Sequence, residues 1–173
     1  MIKKLKWKFK NEIRYWPRDF KIGIKNLITW FPIVWKDRQW DHQFIYSVLR
    51  HKLHLTEQFI RNYGIHVNHI EDSDKIKKCV LLLDRLIKDE YHESVNKYYY
   101  ERWGEPEMVF EDSEEYPGYK TMDLKYPNVK SQKDEKLNTK QFKRNCESEQ
   151  KLKEQDLDML FQTMRKHIQT WWD

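Results

Sequence analysis

Histidines and carboxylates three residues apart are the first candidates for chemistry in this chain. His51 and His54 share that spacing, Asp89 and His92 repeat it, and Glu90 with Glu93 forms an ExxE pair. Residues at i and i+3 lie on one helix face, so two such helices could hold one or two metal ions in a bundle core. All-helical nucleotide phosphohydrolases use ExxE pairs with further carboxylates, which Glu154 and Asp158 could supply. A chain with 28 acidic residues and 7 histidines produces such spacings by chance, and a solvated polar face is the stronger reading. His66 and His69 fall in a loop pattern without a carboxylate-rich helix. Four scattered glycines leave no phosphate-cradling loop, and no Ser or Cys is paired with a local base motif. The expectation is a protein without catalytic residues, bound metal or cofactor.

Binding is the better-supported chemistry. "WFPIVWKDRQWDHQF", residues 30–44, crowds Trp30, Trp35 and Trp40 and two phenylalanines among Lys36, Asp37, Arg38 and Asp41. A structural corner would explain this, with indoles sealing helix ends and Asp37 pairing with Arg38 or capping the next turn. A ligand site would also explain it. Indole faces and guanidinium planes would stack on a base, while Lys36, Arg38, Arg50 and Lys52 met phosphates. Both readings can hold at once, and the candidate ligand-binding set is Trp35, Lys36, Arg38, Trp40, His42, Arg50, His51 and Lys52.

The distribution of charge points the same way. Residues 1–54 carry 13 Lys and Arg against 4 Asp and Glu, a net of +9, so with +5 overall the remainder carries −4. A basic half attracts nucleic acid, nucleotides, an anionic membrane surface or an acidic protein. A solvated basic face is the plain alternative.

Composition bounds the class. With 173 residues the expectation is one domain, large enough for a real core without staples. Charged residues make up 35% and the mean hydropathy is −1.01, which fits a soluble chain with a thin core. The 8 Trp, 10 Tyr and 8 Phe oppose disorder. Alanine is absent and lysine abundant, a usage that fits an AT-rich genome. Cys79 and Cys146 lie far apart within helical patterns and read as small buried residues or incidental thiols in a reducing compartment. "MIKKLKWKFK" is basic and aromatic, but no apolar run follows that could serve as a signal-peptide core or a membrane span, so a cytoplasmic location is expected. An interfacial helix over residues 1–31, with Trp7, Phe9 and Trp16 among lysines, is conceivable. Packing of that helix on the rest of the bundle is the favoured alternative.

The elements that must position these residues are helical. Ile2, Leu5, Phe9, Ile13 and Trp16 predict a first helix that stops before Pro17. Asp19 can cap a second, with Phe20, Ile24, Leu27, Ile28 and Phe31 on one side until Pro32. Asp41 caps a third, with Phe44, Ile45, Val48, Leu49, Leu53, Phe59 and Ile60 as its apolar face and Gly64 just past its end. Residues 65–72 read as a loop, and Ser73 opens a helix reaching Gly104. Residues 105–130 form a hairpin or irregular excursion around "YPGY". Ser131 and Asp134 have capping-box spacing and open a C-terminal helix over 131–173, whose polar first half is expected to project. Leu157, Phe161, Met164, Ile168 and Trp171 form an apolar stripe near its end and are the expected interface of a homo-oligomer. The fold class is all-α: a single-domain helical bundle, residues 1–173, with one excursion.

"WFPIVWKDRQWDHQF" followed by "RHKLH", then "LLLDRLIKDEYHE", "RWGEPEM" and "EQDLDMLFQTMRKHIQTWWD", resembles a family of small tailed-bacteriophage proteins over most of the chain. The WKDR-x-WDH core and the WWD ending are its most specific part. The resemblance brings no activity, cofactor or fold. It implies a phage product made inside a bacterium, where such proteins often act on host enzymes or counter host defence. The expected function is therefore sequestration of an anionic, nucleotide-type immune signal without chemistry. Nucleic-acid binding, inhibition of a host enzyme and metal-dependent nucleotide hydrolysis are the alternatives.

Overall fold

The computed structural model describes residues 2–37, 41, 43–113 and 115–171, with side chains described from Trp16 onward. Among the described residues the chain is mostly helical, with one two-stranded sheet. It divides into two compact units, Met1–Lys52 and Leu53–Asp173. Leu53 and His54 carry no formal charge, so the basic half of the sequence coincides with unit 1.

Unit 1 is dominated by α1 (Ile2–Val34), a single helix with Pro17 and Pro32 inside it. The break expected before Pro17 does not occur. An internal proline removes one N–H and costs about 3 kcal/mol. The apolar spacing nevertheless runs through it as Ile13, Trp16, Phe20 and Ile24, so both halves keep one phase and one face. α2 (Gln43–Tyr63) opens where the Gln43 N–H donates to Asp41 Oδ1 at 2.9 Å. It closes where the Gly64 N–H donates to the Ile60 carbonyl at 2.9 Å, as the sequence predicts.

In unit 2 the helix expected from Ser73 to Gly104 is two helices. α3 (His69–Lys88) starts earlier and stops at Asp89, whose left-handed φ of 53° caps it. α4 (Tyr91–Trp103) follows at once. Aspartate tolerates that conformation better than most residues. Ile87, Tyr91 and Val95 hold a four-residue spacing across the break, which is why periodicity alone passes over it. The excursion is a hairpin in which β1 (Glu107–Asp112) pairs antiparallel with β2 (Lys120–Lys125) and Phe110 faces Met122. Its turn has Pro117 second, Gly118 third at φ 87°, and a Tyr119 N–H donating to the Tyr116 carbonyl at 3.1 Å. That is the pattern of a type II turn, whose third residue needs positive φ.

α5 (Gln132–His167) begins at a capping box in which Ser131 and Asp134 satisfy each other's backbone N–H groups. Its polar first half does not project. The Tyr99 hydroxyl donates to Asn138 Oδ1 at 3.0 Å and Trp103 Nε1 donates to Gln141 Oε1 at 3.0 Å, so α4 holds it along its length. α3 also packs on α5, and the core gathers Ile76, Cys79 and Leu83 with Tyr91, Tyr99 and Leu160. A 3-10 turn, Ile168–Thr170, ends with Trp171 buried. Among the described residues no helix is long and apolar enough to cross a membrane.

Candidate ligand-binding corner

The corner is built where α1 runs out. The Trp35 N–H donates to the Phe31 carbonyl at 2.9 Å, Lys36 to Ile33 at 3.2 Å and Asp37 to Val34 at 3.1 Å, a fraying last turn. The Trp35 indole is 73% exposed, with the Phe31 ring at 5.1 Å and a tilt of 34°, and Lys36 beside it is exposed. Arg38, Trp40 and His42 lie outside the described residues.

The α2 members of the set divide by helical geometry. Arg50 is half-buried and Lys52 exposed, and residues two apart on a helix point to different sides, so one flat ligand cannot meet both. His51 is half-buried. Its ring stands edge-on to Trp30 at 4.9 Å, and its Nε2 is shut away from solvent without a hydrogen-bond partner. Trp30 and His51 therefore pack the corner, while Trp35 and Lys36 form its open face.

Of the residues considered for metal binding, Asp89, Glu90, His92 and Glu154 are engaged otherwise in unit 2. Asp89 pairs with Lys153 at 2.9 Å, and Lys153 also meets Glu149 at 2.8 Å. His92 Nδ1 lies 3.3 Å from Glu149, and its Nε2 lies 3.0 Å from the Tyr100 hydroxyl. Glu90 faces Lys88 at 3.6 Å, and Glu154 accepts from Gln150 at 2.9 Å. Among the described residues no three His, Cys, Asp or Glu side chains converge as a metal site.

These contacts form one ladder along the α4–α5 seam, which sequence reasoning missed. Its rungs pair Trp103 with Gln141, Tyr99 with Asn138, Asn96 with Asn145, His92 with Glu149 and Asp89 with Lys153. At its lower end the Tyr91 hydroxyl donates to buried Asp156 at 2.5 Å, and Arg85 approaches the same oxygen at 3.3 Å. Burial first, then the Asp156 hydrogen bond, pushes the Tyr91 phenol well above its ordinary range. Neighbouring members are three or four residues apart on each side of the seam, Asp89 to Trp103 and Asn138 to Lys153, though the first two rungs cross, so the signal lay in the pairing of two helices and in neither one alone.

No family model matches this chain, and comparison with curated proteins and with solved structures gives no match.

A second concavity of about 730 Å³ is lined by His66, Asp72, Lys75 and His167 at the N-terminus of α3. Asp72 meets Lys75 Nζ at 3.1 Å and His66 Nε2 at 3.3 Å. Burial would raise its pKa, but the Lys75 hydrogen bond and charge, followed by those of His66, outweigh it and hold the carboxyl below its ordinary value. A carboxylate occupied on both oxygens is an anchor for α3 and a poor base or nucleophile.

Proposed function

We propose that the chain acts by binding, and that unit 1 takes single-stranded nucleic acid on the open face of its basic, aromatic corner. The observation that supports this reading is the setting of Trp35. A large indole stands 73% exposed at the end of a helix, beside Lys36, in a unit of net charge +9. Aromatic platforms flanked by lysines bind single strands by stacking on successive bases and neutralising their phosphates. An open platform lets a strand pass across it. A free nucleotide needs walls, since small-ligand sites enclose most of the ligand's surface.

The second reading is a phage protein that sequesters a nucleotide-type immune signal. What favours it is the C-terminal stripe, where Phe161 and Ile168 stay 54% and 48% exposed although Leu160 and Trp171 are buried in the chain's own unit. An exposed apolar pair fits a second copy of the chain, and two copies could close a pocket that one leaves open.

Fluorescence anisotropy with a labelled oligothymidylate separates the two. The expected result is binding that weakens steeply between about 50 and 200 mM salt, as counterion release requires. Mono- and dinucleotides should compete poorly. Absence of binding at the lower salt overturns the proposal, and tight competition by a small nucleotide transfers it to the second reading.

A further inference from the structure

None of the described side chains between Trp16 and Lys36 is buried. That stretch of α1 is nonetheless rich in large apolar residues. Trp16 is 65% exposed, Phe20 56%, Leu27 68%, Ile28 70%, Phe31 58% and Val34 59%. At a helical period of 3.6 they fall within an arc of roughly 120°. Arg18 and Lys25 lie outside that arc and Lys21 at its edge beside Ile28, all three exposed, with Ile22 the exposed apolar residue on the far side. The whole helix carries nine Lys and Arg against two acidic residues, a net of +7.

We infer that α1 is an in-plane anchor for an anionic lipid surface. Two other occupants fit less well. A second α1 would set two helices of net +7 side by side, and like charges at that distance oppose pairing. A hydrocarbon core does not suit a helix with a basic face, and α1 is not apolar enough to span one. A lipid headgroup boundary satisfies both faces together: tryptophan and phenylalanine rings enter the acyl boundary while lysines and arginine meet phosphates. At about 1.5 Å per residue the helix would lie along roughly 50 Å of surface. This inference is independent of the nucleic-acid reading, because it needs the apolar arc and that reading does not.

Co-sedimentation of the full chain with vesicles tests it, with tryptophan emission as a second readout. Vesicles of phosphatidylcholine mixed with phosphatidylglycerol should pull the protein down and shift its emission to the blue. Phosphatidylcholine alone should bind at least tenfold more weakly. Phe20→Glu with Leu27→Glu should abolish vesicle binding while leaving oligonucleotide binding and the urea transition of unit 2 in place. Lys21→Glu with Lys25→Glu should weaken binding to the anionic vesicles only. Failure of the parent to bind anionic vesicles overturns the inference, as does binding that survives both double substitutions. A dimer that ignores vesicles and dissociates on Phe20→Glu with Leu27→Glu overturns it in favour of a second copy.

Discussion

Asp156 is 6% exposed, accepts a hydrogen bond from the Tyr91 hydroxyl at 2.5 Å and forms an ion pair with Arg85 at 3.3 Å. Removing the hydroxyl leaves a buried carboxylate with only Arg85, and hydrogen bonds to charged groups contribute about 1.5–3 kcal/mol. Tyr91→Phe should lower the unfolding free energy by that amount in urea. Tyr98→Phe, at a residue 74% exposed, should change it by less than about 0.5 kcal/mol. The two cysteines give a second residue-scale prediction. Cys79 is buried and burial pushes its thiol up to about 11, whereas Cys146 is exposed. The thiolate is the reactive form. At pH 8 iodoacetamide should therefore label Cys146 alone in the folded chain, and Cys79 should gain reactivity only as the pH approaches 11 or the chain unfolds. Fast labelling of both at pH 8 would show that the core around Cys79 is open. The Tyr91 pairing was not available from spacing, since Tyr91 and Asp156 are 65 residues apart and nothing in either local sequence names the other, whereas the helical pattern offered both readings of the cysteines without dividing them.

At the scale of elements, the hairpin depends on how it is tied to the end of α4. Gly104 has φ 78° and ψ 168°, and a Cβ there would stand 2.4 Å from Pro127 Cγ. Beside it the Asn128 N–H donates to the Trp103 carbonyl at 3.2 Å and its side chain to Arg102 at 3.0 Å. Only glycine occupies that backbone region at low cost, the penalty for other residues being about 1–3 kcal/mol. Gly104→Ala should therefore destabilise unit 2 by at least this amount in a urea titration. A variant as stable as the parent would mean that the hairpin stem is not locked to α4. Elements marked by short-range chemistry were legible in the sequence, among them the Ser131–Asp134 capping box, the Pro117–Gly118 turn and Gly64 past α2. Breaks and continuities set by phase were not. Pro17 reads as a stop although the apolar spacing keeps its phase, and the break at Asp89 is hidden because that spacing runs on through it.

For the whole molecule, the partition of charge is the main fact that sequence and structure share. Unit 1 holds the net +9, with Trp16, Phe20, Phe31 and Trp35 exposed, and unit 2 holds the buried core and the polar ladder. The bias was readable from composition; which side chains stay exposed was not. Trp30 and His51 turn inward, and Arg50 and Lys52 divide between sides of α2, so the candidate site contracts to Trp35 and Lys36 among the described members. Both are exposed, and their replacement should leave unit 2 untouched. The most direct test of the nucleic-acid reading is therefore the oligothymidylate affinity of the full chain carrying Trp35→Ala and Lys36→Ala, measured beside the parent at one salt concentration. One base–aromatic stack is worth about 1–3 kcal/mol, so the account predicts a loss of about tenfold or more with the urea transition of unit 2 unchanged. An affinity equal to the parent's would contradict it.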